Sequence, residues 1–184
     1  MKIMVFSDIH GSLYYTKKVI ERIEKEVPDQ IMILGDILYH GPRNPLPKDY
    51  DPLEVVKLLN PYVDKTIGVR GNCDAEIDVQ LLGYSGNKDT LQITFNNRLF
   101  FMTHGHIYHP DDHPVLEKGT VFVYGHTHIY QAERKDNIYY FNPGSVSIPK
   151  GGNPPSYGMI DDDELVIKDL DGIVLTSCRL KDDR

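Results

Sequence analysis

The chain has 184 residues, with 20 Lys+Arg against 27 Asp+Glu and a formal net charge of −7 at pH 7. That length suits a single domain spanning 1–184, and the acidic balance argues against broad electrostatic binding to nucleic acid or an anionic membrane. Two cysteines, Cys73 and Cys178, are too few for a disulfide framework, and the apolar run at 3–6 is far short of a signal segment or a spanning helix, so a cytoplasmic globule is expected.

Residues 2–6 (K-I-M-V-F) stop abruptly at Ser7-Asp8, the pattern of a strand covered on both faces. Ser12 then offers an N-cap, and Leu13, Val19, Ile20 and Ile23 recur at roughly helical spacing up to Pro28. A second strand is expected at 31–34, ending at Gly35-Asp36. A proline-rich loop at 41–52 closes on Asp51-Pro52-Leu53-Glu54, a helix start with Asp51 as cap and Pro52 at the first position. Residues 66–69 form a third apolar run, ending at Gly71-Asn72. Hairpin turns are expected at Asn96-Asn97, Asp136-Asn137 and Asp171-Gly172, with a further run at 121–124 ending at Gly125-His126. Strand–helix alternation followed by strand-rich sequence, with no internal repeat, predicts an α/β domain of two packed β-sheets with helices outside.

Five of these strand ends carry metal-capable residues: Asp8-Ile9-His10, Asp36, Asn72, His104-Gly105-His106 and His126-Thr127-His128. In an α/β sheet, ligands gather beyond the carboxyl ends of the strands. Singly, Asp36 or Asn72 reads as a turn residue; the His126/His128 pair is stronger, because alternate residues of extended chain point the same way. The joint pattern is hard to assign to packing. Asp8, His10, Asp36, Asn72, His104, His126 and His128 exceed what one catalytic ion with an open position needs, and suffice for two ions sharing a carboxylate. Two-metal sites suit in-line displacement at phosphorus. Phosphoester hydrolysis is the expected chemistry.

The strings S-D-I-H-G-S at 7–12, G-D-I-L-Y-H-G-P-R-N at 35–44, V-R-G-N-C-D at 69–74, T-H-G-H at 103–106, Y-G-H-T-H at 124–128 and N-P-G-S-V-S-I-P-K-G-G-N-P at 142–154 together resemble the calcineurin-like metallophosphoesterases, specifically their small bacterial and archaeal phosphodiesterase branch. The resemblance implies a four-layer α/β/β/α sandwich of two mixed β-sheets flanked by helices. It implies two divalent ions per chain, Mn²⁺ first, with Fe, Zn, Ni or Co as alternatives. Asp8, His10 and His128 would bind one ion, Asn72, His104 and His126 the other, and Asp36 would bridge; a hydroxide held between the ions would attack phosphorus. Asp36, Asn72 and His104 then form the catalytic set. The implied substrate is a small or nucleotide-like phosphodiester, with no stable nucleic-acid partner, no membrane, and a homo-oligomer (dimer or tetramer) as a family precedent.

Two departures bear on substrate. Larger members have His where this chain has Cys73, and Asp and Arg where it has Tyr39 and His40. Without that arginine, one clamp for a phosphate monoester dianion is missing. A diester is therefore favoured, with a phosphomonoesterase as the nearest alternative and a non-catalytic scaffold for protein partners, as in the related retromer subunit, as the other. Arg43, Cys73 and His106 are the candidate substrate-binding residues. Tyr14, Tyr15, Tyr39 and Tyr84 are candidates for stacking a base, with packing as the default role. His109 and His113 read as surface residues, and Asn142-Pro143-Gly144-Ser145 as a turn first and a loop abutting the site second.

Overall fold

Alternation along the first strand sets the layering. In β1 (Ile3–Phe6), Met4 and Phe6 face one core and Ile3 and Val5 another, so both faces are buried. The same split recurs in β2 (Gln30–Ile33), where Ile31 and Ile33 join Met4 while Met32 joins Val5. The computed structural model describes residues 1–181; the last three positions of the expected domain, 182–184, lie outside the described residues.

Helices cover the outer face of this sheet. Ser12 Oγ accepts the Tyr15 N–H at 3.3 Å to start α1 (Leu13–Glu26), and Val27, at φ 49°, ends it before Pro28. Asp51 Oδ1 accepts the Glu54 N–H at 3.2 Å, with Pro52 opening α2 (Pro52–Leu59). A 3₁₀ segment, Asn60–Lys65, leads into β3 (Thr66–Gly68). Val19, Ile23, Val55 and Leu59 pack on the sheet together with Leu82 of α3 (Glu76–Leu82). The pattern reading did not identify α3, a short helix following the Gly71 loop.

The strand-rich half supplies β4 (Thr90–Phe95), β5 (Arg98–Thr103), β6 (Val121–Val123), β7 (Gln131–Lys135), β8 (Ile138–Asn142), β9 (Ser156–Ile160), β10 (Glu164–Asp169) and β11 (Val174–Arg179). The Asn96-Asn97 turn has both residues at positive φ, 47° and 62°, as a tight hairpin of that type requires. The sheets run β11-β10-β9-β1-β2-β3 and β4-β5-β6-β8-β7. Within them β1, β2, β3 are mutually parallel, as are β5, β6, β8. The sequence pattern did not identify β9: its five residues are all buried, so no polar alternation marks it.

Ile3, Val5, Met32, Phe100, Met102, Val123 and Phe141 fill the space between the sheets. Outside the five-stranded sheet, Phe101, Phe122, Tyr124 and Tyr140 are covered by Tyr108 and Leu116 of the irregular 104–120 segment. His113 belongs to this cover: its Nε2 lies 2.9 Å from Tyr140 Oη and its ring 5.1 Å from Phe122, so the expected surface placement is wrong for His113, though His109 is exposed. Its ring packs on the aromatic layer because no helix among the described residues does. No described helix is long and apolar enough to cross a membrane.

Glu26 fastens α1 to the antiparallel strands. Its carboxylate accepts from Lys168 Nζ at 2.8 Å and Tyr157 Oη at 2.9 Å and pairs with Lys2 at 3.2 Å. Burial raises its pKa, but the Lys168 and Tyr157 bonds outweigh burial and bring it from 4.5 to about 2. A depressed folded pKa stabilises fully above the unfolded value and is lost as pH falls through the folded one. Glu26→Gln is expected to lower stability by about 1–3 kcal/mol at neutral pH, the difference shrinking as pH drops from about 4.5 towards about 2. Urea unfolding across that window measures it.

Candidate metal centre

The parallel strands all deliver their carboxyl ends to one edge of the sandwich. Asp8 and His10 follow β1, Asp36 follows β2, Asn72 follows β3, His104 follows β5, and His126 and His128 follow β6. A sixth end, after β8, brings Asn142 to Ser147 behind them.

The first two parallel-strand loops interlock. The His10 N–H donates to Asp36 O at 2.9 Å and the Asp8 N–H to Gly35 O at 3.1 Å. Gly35 and Gly71 touch backbone to backbone: a β-carbon on Gly35 would lie 2.3 Å from Gly71 N, and one on Gly71 would lie 2.1 Å from Asp36 Oδ1. Only glycine at both positions lets the Asp36 and Asn72 loops approach this closely.

Five of the seven ligand candidates hold a left-handed backbone: Asp8 (φ 57°), His10 (51°), Asp36 (54°), His126 (66°) and His128 (60°). Such conformations cost about 1–3 kcal/mol each and gather at functional sites. They also correct the extended-chain reading of His126-Thr127-His128: left-handed kinks at 126 and 128 aim the two rings at different clusters.

The imidazoles are set as bare ligands. Carbonyl oxygens lie beside the Nδ1 atoms of His10 (Tyr39 O, 2.9 Å), His104 (Leu34 O, 2.7 Å) and His128 (Ile148 O, 2.7 Å), and each Nδ1–H donates to one. In the neutral tautomer this leaves Nε2 as an unshared lone pair. Those lone pairs face one another: His10 Nε2 is 3.4 Å from His128 Nε2, and His104 Nε2 is 3.2 Å from His126 Nδ1. Asp8 Oδ1 lies 3.1 Å from His128 Nε2 and is buried without a hydrogen-bond donor among the described residues. Converging lone pairs beside an orphaned carboxylate oxygen call for a cation. The groups Asp8/His10/His128 and Asp36/His104/His126 each place their ligand atoms within 4.8 Å of one another, and so does His10/Asp36/Cys73. These residues fit divalent metal.

Burial opposes ionisation of Asp8, yet His10 and His128 hold its carboxyl well below the usual range. Burial likewise opposes protonation of His104, but the Asp36 carboxylate beside it pushes it up to about 9. Burial and the neighbouring His104 lower His126.

Asn72 lies at the exposed opening, its Oδ1 3.1 Å from His104 Nε2. Cys73 donates its N–H to Asp36 Oδ1 at 2.8 Å. His106 is exposed, with its ring 5.4 Å from His104 and 6.2 Å from His126, so it overlooks the site. Arg43 is exposed in the 41–50 loop, and the structure does not bring it together with the clustered ligand candidates.

The supporting residues act through main-chain hydrogen bonds that the sequence pattern does not show, although it reads Asn142-Pro143-Gly144-Ser145 as a turn and a loop abutting the site. Asp74 accepts three backbone N–H groups, from Asp36 (2.8 Å), Ile37 (2.9 Å) and Gly71 (2.8 Å), and so ties the Asp36 loop to the Asn72 loop. Its only sequence signal was its place at the end of V-R-G-N-C-D. Asn142 is fully buried and donates to Gly125 O (2.9 Å) and Thr127 Oγ1 (3.1 Å), gripping the chain on both sides of His126. Ser145 and Ser147 both donate to Asp8 O, at 2.8 and 3.1 Å. The 142–147 turn is thus the back wall of the centre.

A sandwich of two mixed sheets with this Asp, Asn and His set clustered at the ends of its parallel strands defines a metallophosphoesterase, and the chain belongs to the calcineurin-like phosphoesterase superfamily, whose family model matches residues 1–164. It is a hydrolase acting on phosphoesters and a protein of divalent-metal chemistry. Among curated relatives, it is 49% identical to Phosphodiesterase YfcE of Escherichia coli K12 over 167 residues, 91% of each chain. The solved structure of YfcE, a phosphoesterase from E. coli, superposes with a TM-score of 0.96 at 47% identity, covering 98% of this chain and 100% of that one. A Vps29 mutant from Entamoeba histolytica shares the fold at 21% identity, with a TM-score of 0.65 and coverage of 98% and 100%.

Proposed function

We propose that the chain hydrolyses small or nucleotide-like phosphodiesters with two divalent ions, Mn²⁺ first and Fe, Zn, Ni or Co as alternatives. Asp8, His10 and His128 would hold one ion, and Asn72, His104 and His126 the other. The observation that carries this reading is the position of Asp36. Its Oδ2 lies between the two histidine sets, 3.8 Å from His10 Nε2 and 3.4 Å from His104 Nε2, while Cys73 N–H fixes its Oδ1. When bound, such ions supply Lewis acidity at the phosphoryl oxygens and lower the pKa of water for in-line displacement.

The chain's own residues then orient the reaction. Carbonyl contacts at Nδ1 fix three ligand rings, and Asp74 and Asn142 fix the loops beneath them. His106 and Asn72, at the opening, are placed to meet the substrate. Two features favour a diester over a monoester. His40 stands where larger members carry an arginine, leaving the second negative charge of a monoester dianion without a guanidinium. Burial and the Asp36 carboxylate push the Cys73 thiol up to about 12, so it is a poor donor to a leaving oxygen, and substrates with good leaving groups are expected. A scaffold has no need for seven converging ligand groups; the likeness to Vps29 concerns fold alone. A net charge of −7 disfavours a nucleic-acid strand as substrate.

The test is to strip the protein with chelator, restore Mn²⁺, and compare bis-p-nitrophenyl phosphate with p-nitrophenyl phosphate. Cleavage of the diester that disappears with chelator and returns with Mn²⁺, exceeding monoester cleavage, is the expected result. Faster monoester cleavage overturns the substrate assignment, and no turnover of either by the loaded protein overturns the enzymatic one.

A further inference from the structure

Of the four tyrosines near the motif loops, three are engaged elsewhere. Tyr84 is buried beneath the helices, Tyr15 packs against the same core, and Tyr14 has Lys48 Nζ 3.5 Å above its ring. Tyr39 differs. Its side chain is among the exposed large hydrophobics, at 42%, although its backbone is fixed to the metal cluster through the carbonyl that meets His10 Nδ1 at 2.9 Å.

Behind Tyr39 stands a column of rings. The His40 ring lies 4.8 Å from Tyr39 at an interplanar angle of 33°, and the Tyr50 ring lies 5.4 Å from His40 at 37°. Tyr50 sits under the loop that carries His10: a β-carbon on Gly11 would be 2.5 Å from Tyr50 Cε2, so only glycine leaves room for the ring. His40 Nδ1 is enclosed with no hydrogen-bond partner among the described residues, so the two flanking rings, not a polar bond at that atom, hold the imidazole. The following residue reaches the opening, since a β-carbon on Gly41 would be 2.9 Å from Cys73 Sγ. The column is anchored under a ligand loop at its inner end and finishes on a solvent-exposed tyrosine whose own carbonyl meets His10.

The geometry points to Tyr39 as a substrate-binding platform that stacks on a flat aromatic arm, nucleobase or aryl, of the phosphodiester. This rests on the phosphodiesterase reading and narrows its substrate class. A diester monoanion offers the ions a single negative charge, and no arginine clamp stands beside them. Its organic arms must therefore supply affinity, and a ring already packed against a neighbouring ring loses little freedom when it takes another π-face.

The test is calorimetric titration of the Mn²⁺-loaded protein with diphenyl phosphate and, separately, with diethyl phosphate. Tyr39→Ala is expected to weaken diphenyl phosphate by about 5- to 50-fold while leaving diethyl phosphate unchanged, and Tyr39→Phe is expected to retain diphenyl phosphate binding. Equal weakening of both ligands, or no weakening of diphenyl phosphate, overturns the platform. Hydrolysis of bis-p-nitrophenyl phosphate by the same wild-type preparation reports separately on the phosphodiesterase reading: aromatic-selective, Tyr39-dependent binding without turnover supports the platform and overturns that reading.

Discussion

Asp36→Ala is expected to lose both ions and to reduce diester hydrolysis on the order of 10³-fold. Asp36 is 2% exposed and its carboxylate faces histidines of both clusters, so under the proposed assignment its removal would take a ligand from each ion. It also releases the Cys73 N–H, which positions the residue next to Asn72. The substitution also leaves the His104 ring without its carboxylate partner, so circular dichroism of the metal-free variant checks that the fold survives. Elemental analysis after loading and desalting gives the answer. Two ions per chain in the variant would show that Asp36 serves neither in the assigned way.

Asp74→Ala is expected to be the most damaging change among residues that would not ligate metal. Three backbone donors, on Asp36, Ile37 and Gly71, lose a charged acceptor together. Each backbone donor left unpaired costs about 1–3 kcal/mol where it stays buried, and loss of a ligand's support typically weakens metal affinity by about 10–100-fold. Asp74→Asn keeps the shape but offers one oxygen in place of two, and is expected to fall between wild type and alanine in both respects. Denaturant midpoints and Mn²⁺ titrations of the two variants measure the effects. Wild-type Mn²⁺ affinity in a folded Asp74→Ala protein would contradict the positioning role.

The parts of the centre legible in sequence were those written at strand ends. Each apolar run stops at a chemical residue, and a parallel sheet collects such stops at one edge, so Asp8, His10, Asp36, Asn72, His104, His126 and His128 could be grouped before any contact was seen. Backbone hand was not legible. Asp and His visit positive φ more readily than most residues, but at Asp8, His10, Asp36, His126 and His128 it is the surrounding loops that impose it. The extended reading of His126-Thr127-His128 failed for this reason. Asp74 and Asn142 were hidden because their work is hydrogen bonding to main chain across the fold, from positions 38 and 17 residues distant from Asp36 and Gly125 respectively. Strand β9 escapes the pattern through burial, since a strand covered on both faces shows no alternation, and the half-buried His113, in a polar loop, shows no sign of the aromatic layer on which it lies.

The most direct test of the centre is a count of ions. Metal-free protein titrated with Mn²⁺ and followed by electron paramagnetic resonance should take up two ions per chain, with the spectrum of the fully loaded protein showing exchange between the two spins through the shared Asp36. Saturation at one ion per chain, or two ions with independent spectra, would contradict a centre bridged by Asp36.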